Sequence, residues 1–235
     1  MVIVRSLIFV VAFYAWWTIV ALGMTPLLLL PRRWIAGAMR FQAAVTVALL
    51  KAICGVRVEF RGRAHLSPGA ALIGAKHQCM LDTIAPMTVL ADAAYVMRDS
   101  LLKIPFYGWF SMKSGMIPID REGHASALRR MLGAAKACIR DGRQIVIFPE
   151  GTRLPPGVTG QYKPGVAALY RALGVACVPM ATNSGQHWPA HGLIRRPGTI
   201  VYEFLEPIPP GLDRREFMRL LEERTEAGSR ALLGL

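Results

Sequence analysis

Acidic side chains are scarce in this chain. Its 235 residues hold 15 Asp and Glu against 28 Lys and Arg, a formal net charge of +13. Charged residues of both signs make up 18% of the sequence and hydrophobic ones 53%, high for a fully soluble protein. The charge imbalance leaves three kinds of partner: nucleic acid, an anionic membrane surface or acidic substrates. Nucleic acid is the weakest, because zinc-finger spacing and an aromatic-interleaved basic stripe are both missing. The four cysteines, Cys54, Cys79, Cys138 and Cys177, form no C-x-x-C or zinc-type pair. Most sit in apolar stretches, as buried free thiols of a reducing compartment do. His187 and His191 are four apart with Pro189 between them, which suits a loop and not a helical metal pair. A G-x-S-x-G turn is absent, and with it the usual serine-hydrolase elbow. Internal repeats and low-complexity tracts are absent too, and 235 residues suffice for one domain plus an appendage.

Charge is also missing locally. From Ser6 to Pro31 the sequence carries none. The part up to Gly23 alone, at ~1.5 Å per residue, crosses most of a ~30 Å hydrocarbon core. A cleavable signal peptide is disfavoured by a single early basic residue, Arg5, a long apolar stretch and no small-residue cleavage site. Trp34 to Cys54 is again apolar. Arg33, Arg40 and Lys51 fall within ~20–40° of one direction on a helix, the pattern of a segment lying in a membrane interface. Pro26 and Pro31 separate the two helices. Residues 1–54 are therefore expected to form a membrane-anchoring helix pair, with the basic residues that follow placing the rest on the cytoplasmic side.

After Gly55 the pattern changes to an α/β alternation. Strands are expected at Val56 to Arg61, Ala70 to Ala75, Ile117 to Ile119, Ile145 to Phe148, Val175 to Val178 and Thr199 to Phe204. Helices are expected near Asp82 to Ala91, His124 to Arg140, Pro164 to Leu173 and Asp213 to Leu233, with Gly142 and Gly174 as C-terminal caps. This order predicts an α/β domain over 55–235, a mostly parallel sheet flanked by helices, with functional groups gathered beyond the carboxyl ends of its strands.

Three segments stand at such ends. Lys76-His77-Gln78-Cys79-Met80-Leu81-Asp82 follows the second strand. An imidazole takes a hydroxyl proton near neutral pH, and a carboxylate fixes its tautomer. On one straight helix a spacing of five turns the two side chains ~140° apart, so pairing requires a strand end feeding a helix start. The plain alternative for Asp82 is a helix cap. Gly115-Met116-Ile117-Pro118-Ile119-Asp120-Arg121 and Phe148-Pro149-Glu150-Gly151-Thr152-Arg153 are the other two.

With Val178-Pro179-Met180, these segments in this order resemble the glycerolipid acyltransferase family, and within it the 1-acyl-sn-glycerol-3-phosphate (lysophosphatidic acid) acyltransferases. The resemblance covers roughly residues 55 to 210. It implies His77 as general base and Asp82 as its orienting carboxylate. It implies substrate binding by Arg121, Glu150, Gly151, Thr152 and Arg153, the arginines on a phosphate and Glu150 on an arginine or the acceptor glycerol. Lys103, in Leu101-Leu102-Lys103-Ile104-Pro105, adds charge near the phosphate or sits at the surface. Lys163-Pro164-Gly165 resembles the family's K-x-G string, though Pro164 at a helix start explains it without a ligand.

The implied reaction moves a fatty acyl group from an acyl carrier protein or coenzyme A thioester to lysophosphatidic acid, giving phosphatidic acid. It needs no metal or other cofactor and takes place at a membrane, on the cytoplasmic face of a bacterial inner membrane. Another lyso-lipid acceptor such as a lyso-ornithine lipid, a lipid hydrolase relying on Cys79, and a non-catalytic membrane adaptor are the rival readings. The family often carries Asn before the His and Ser two after it, whereas Lys76 and Cys79 stand here.

Overall fold

The structure, a computed structural model, describes residues 1–67, 69–120 and 124–235. Two long helices come first, α1 (Val2–Gly23) and α2 (Arg32–Leu49). Between them lies a 3-10 turn over Thr25–Leu29 with Pro26 in its first turn, and Pro31 caps α2. Pro26 and Pro31 thus mark the break, as their missing N–H groups require. α2 widens into a π turn over Leu50–Cys54 and stops at Gly55, whose φ of +69° suits glycine.

Strands β1 (Val56–Arg61), β2 (Ala71–Ala75), β3 (Ala93–Arg98), β4 (Ile117–Ile119), β5 (Gln144–Ile147), β6 (Cys177–Thr182) and β7 (Gly198–Phe204) form one sheet among the described residues. Their order is β1-β7-β6-β2-β5-β3-β4. Every neighbouring pair is parallel except β6 and β7. Helices α3 (Tyr107–Lys113), α4 (His124–Arg140), α5 (Gly165–Leu173), α6 (Ser184–His187) and α7 (Arg214–Leu233) complete the chain. The mostly parallel sheet flanked by helices matches the sequence expectation.

Two apolar layers cover the sheet. One joins Phe9 and Phe13 of α1, Ala43 of α2 and the 79–90 segment to Ile73, Val146 and Tyr202. The other holds α4, α5 and α7 through Met131, Leu169, Phe217 and Leu221. The first layer places the N-terminal helices against the segment that carries Asp82. Burying a side chain such as Phe9 or Phe13 contributes ~1.5–3 kcal/mol, so α1 is held to the domain along one stripe, Ser6-Phe9-Phe13. Its other faces are apolar and exposed, with Ile3, Val4, Leu7, Val11 and Tyr14 each over half or nearly half accessible. Both N-terminal helices are long and apolar enough to cross a membrane by length and composition.

Where the expected elements differ, local chemistry explains it. Asp82 to Ala91 is not an α-helix but two 3-10 turns, Met80–Thr83 and Ala85–Thr88, because Pro86 removes a donor. β3 and α3 escaped detection: Asp92-Ala93-Ala94 is poor in strand formers, and α3 has only seven residues.

An ion-pair cluster ties the N-terminal unit to the sheet. Arg32 of α2 holds Asp92 with two bonds of 2.8 and 2.6 Å, and Arg143 reaches it at 3.1 Å. Arg143 is buried and also donates to the carbonyls of Ala93, Ser114 and Gly115. Burial pushes the Asp92 carboxyl up, but the Arg32 bond and the charges of Arg143 and Arg32 outweigh it and hold it below the usual carboxylate range.

A depressed folded-state pKa stabilises above the unfolded value, and that stability is lost as pH falls through the folded one. Asp92→Asn should cost ~1–2 kcal/mol at neutral pH, discounted for partial solvent screening. The gap between wild-type and Asp92→Asn denaturation midpoints should close as pH drops below about 4, and equal midpoints at pH 7 would show the cluster to be inert.

Candidate active site

β2 and β5 are adjacent and parallel, with Gly74 beside Ile147. Three residues beyond that rung stand His77 and Glu150, so strand register alone brings the two motifs to one level. β6 flanks β2 on the other side, pairing Val178, Pro179 and Met180 with Ile73, Gly74 and Ala75. A bond from Leu154 N to His77 O at 2.9 Å closes the loop over the strand end.

His77 Nδ1 lies 3.0 Å from Asp82 Oδ2. The chain turns sharply after Gln78, so the spacing of five that fails on a helix succeeds here. The same Oδ2 accepts from the backbone N–H of Gln78 at 2.6 Å and of Cys79 at 2.8 Å. Asp82 is therefore third in its turn, reaching back to the Cys79 cap, and the capping and pairing roles coincide. Tyr202 of β7 donates its hydroxyl to Oδ1 at 3.0 Å. Asp82 is fully buried. Burial alone raises its pKa, but the His77 hydrogen bond, the His77 charge and the Cys79 N–H together lower it below the usual range. A buried carboxylate facing Nδ1 accepts a hydrogen bond from a proton held on that nitrogen, which leaves the lone pair on Nε2.

Phe148 stacks on the imidazole, ring centroids 4.0 Å apart, and Tyr95 lies beyond Phe148 at 6.2 Å. This sandwich fixes the plane of the ring. Burial pushes the Tyr202 phenol well up, and the Asp82 charge adds to it, so the hydroxyl stays a donor. The same two causes push the Cys79 thiol well above its ordinary value. Fully buried and protonated, Cys79 lacks the thiolate a nucleophile needs. All four cysteines are free and buried.

The 150–153 turn is half inside the protein. Glu150 is 3% exposed, while Thr152 and Arg153 are open to solvent. Gly151 has a φ of +68°, a conformation that excludes most side chains. Glu150 pairs with Lys76 Nζ at 3.2 Å rather than with an arginine or an open acceptor cleft, and burial outweighs Lys76 to push its carboxyl up. Arg153 makes one long bond, 3.4 Å, to Ala190 O, so its guanidinium is largely available to a ligand. Arg121 lies outside the described residues. Lys103 ends an exposed 3-10 turn after β3 and has no hydrogen bond or ion pair among the described residues; nothing in the structure joins it to His77 or Arg153. Lys163 stays at the surface, its N–H bonded to Pro149 O. His187 ends α6 and bonds Arg196 O, and the described residues contain no cluster fit for a metal.

Sequence reasoning missed Tyr202, Phe148 as a stacking partner, and the tie from Lys76 to Glu150. Tyr202 lies 120 residues from Asp82, so no local spacing announces it. Lys76 did carry a signal, as a departure from the pattern it resembles.

The profile of the family described as Acyltransferase matches residues 57–183. A Pseudomonas aeruginosa protein named 1-acyl-sn-glycerol-3-phosphate acyltransferase is 34% identical over 152 residues, 65% of this chain and 59% of that one. A Borreliella burgdorferi protein of the same name is 26% identical over 167 residues, 70% and 66% of the two chains. The human protein with that name and the suffix alpha is 30% identical over 139 residues, 58% and 49%. The chain thus spans about half to two thirds of these relatives' lengths. The crystal structure of the 1-acyl-sn-glycerophosphate acyltransferase of Thermotoga maritima has the same fold, with a TM-score of 0.83, 21% identity and coverage of 100% of this chain and 99% of that one.

The Asp82 geometry makes a prediction independent of any assay. Nitrogen-15 NMR of the imidazole in the full chain should find the neutral His77 protonated on Nδ1. In Asp82→Asn the amide can donate instead, and the proton should move to Nε2. An unchanged tautomer would mean that Asp82 does not govern the ring.

Proposed function

The chain belongs to the acyltransferase family, and from that premise we propose that it acylates lysophosphatidic acid at a membrane surface, giving phosphatidic acid. The acyl group comes from an acyl carrier protein or coenzyme A thioester. The observation that carries this reading is the 3.0 Å contact between His77 and the buried Asp82, beside a turn that presents Arg153.

In this reading His77 Nε2 takes the proton of the acceptor hydroxyl as its oxygen attacks the thioester carbonyl. The tetrahedral intermediate collapses, the carbon–sulfur bond breaks, and the imidazolium returns the proton to the leaving thiolate. Asp82 stabilises the imidazolium between the two steps without taking its proton. Arg153, with Arg121, binds the acceptor phosphate, where a guanidinium makes two charge-assisted bonds. Gly151 and Thr152 shape the turn that presents Arg153. Lys103 contributes charge at the surface. Direct transfer suits the buried Cys79 thiol better than an acyl-cysteine route, and so speaks against a Cys79 hydrolase.

The lipid part of the substrate suits the neighbourhood. The buried faces of α1 and α2 belong to the layer that also holds the 79–90 segment, while apolar side chains on their other faces are exposed, so a bilayer contacting those helices would lie beside the site. The excess of basic residues suits anionic lipid and an acidic carrier protein.

His77→Ala should lower turnover by ~10²–10⁴ with folding intact; purified variant at near-normal turnover would sink the assignment. Arg153→Ala, and Arg121→Ala, should raise KM for lysophosphatidic acid by ~10–100-fold, from charge-assisted bonds worth ~1.5–3 kcal/mol. The thioester KM should stay near wild type, and an effect on the donor alone would reassign these arginines. High salt or carbonate should fail to strip the full-length protein from membranes, since apolar burial and not charge holds it. Release by salt would make the attachment electrostatic.

A further inference from the structure

Lys76 is 1% exposed, yet it carries an ammonium. It is satisfied by two segments far apart in sequence, the 150–163 loop and α7. Its Nζ donates to Val158 O at 2.9 Å and to Glu226 Oε1 of α7 at 2.6 Å, and lies 3.2 Å from Glu150 Oε1. The Glu150 carboxyl is buried and faces the ammonium across this ion pair. Glu226 is bound more fully. Tyr162 donates to its Oε1 at 3.1 Å and Thr159 to its Oε2 at 3.2 Å. Arg230, one turn further along α7, reaches Thr159 at 3.3 Å.

We propose that Lys76 and Glu226 are positioning residues: α7 grips the buried ammonium and, through it, sets the place of Glu150 and of the 150–163 loop against His77. Resting on the acyltransfer reading above, the inference adds to it the last helix of the chain as part of the site's framework.

The packing explains how a distant helix does this. Glycine at position 74 lets α7 close on β2; a Cβ there would stand 2.7 Å from Leu221 Cδ1. Leu221 and Glu226 of α7 are both buried. Loop 150–163 has no helix or strand of its own, and its ties include Leu154 N to His77 O, Lys163 N to Pro149 O, Arg153 to Ala190 O, and the bonds of Val158, Thr159 and Tyr162 to this cluster. Loss of one buried member therefore loosens the loop that carries Arg153. His77 and Asp82 keep their own bonds, none of which involves Glu226.

The test compares Glu226→Ala with Glu226→Gln in the full chain. Gln keeps an oxygen to accept from Lys76 and Tyr162, so it should fold. Steady-state kinetics use lysophosphatidic acid in mixed micelles and whichever thioester the wild type accepts. Glu226→Ala should raise the lysophosphatidic acid KM about tenfold with the thioester KM within about twofold, and Glu226→Gln should recover most of the loss. A fall in kcat alone, or equal rises in both KM values, would overturn the proposal.

Hydrogen–deuterium exchange supplies an arm independent of the reaction. Peptides covering 150–163 should exchange faster in Glu226→Ala while those of β1 and α4 do not change, and equal exchange in the loop would overturn the proposal whatever the kinetics. If the wild type acylates no lyso-lipid, the functional reading fails, and exchange alone decides whether α7 positions the loop.

Discussion

Asp82 carries its charge where water does not reach, and the donors around it make that tenable. His77, two backbone N–H groups, the Tyr202 hydroxyl and the Cys79 thiol all point at one carboxylate. An ionised group without such partners would lose several kcal/mol on burial and neutralise instead. The constraint reaches outward from there. Two N–H donors require the tight turn after His77, which excludes an α-helix at that point. Tyr202 requires β7 to lie within reach of the 79–83 segment, and β7 stands two strands from β2 in the sheet. Proper placement of one acid thus depends on both local turn geometry and the topology of the whole sheet.

Much of this was legible in the sequence, for stated reasons. Apolar runs ending in His77 and in Phe148 announced strands, and in a parallel sheet functional groups collect beyond such ends. What the sequence did not disclose is the neighbour relation. Nothing in Ile145-Val146-Ile147 says that this strand lies beside β2 rather than beside β6. Only that adjacency turns two motifs separated by 70 residues into one site. β3, which completes the sheet beyond β5, hid behind Asp92-Ala93-Ala94 because its stability comes from burial against β5 and β4 and not from strand propensity. Tyr202 and Glu226 hid for the related reason that single long-range hydrogen bonds leave no periodic trace.

Charge tells a second story. The surface is basic, but beneath it charges are used in opposed clusters: Arg32 and Arg143 on Asp92, and Lys76 between Glu150 and Glu226. The first group fastens the N-terminal helices to the starts of β3 and β5, and the second fastens the loop of Arg153 to the last helix. Both are partly or wholly removed from solvent, where a missing partner costs far more than an exposed one. Surface pairs such as Arg219 with Glu223, by contrast, contribute little.

The placement of these two groups bears on how a lipid enzyme must be built. A protein whose N-terminal helices face acyl chains cannot rely on the hydrophobic effect to press those helices onto its own domain, since the bilayer offers an equally apolar surface. Directed polar ties do not suffer that competition. The Arg32–Asp92 fork lies where α2 begins, next to the turn that leaves α1. On α1, Ser6 adds a second polar tie, accepting from Arg195 N at 2.8 Å. Together with the buried Phe9 and Phe13, these bonds fix one stripe of a predominantly apolar helix pair to the domain. In the proposed function the remaining stripes are free to contact a membrane beside the site.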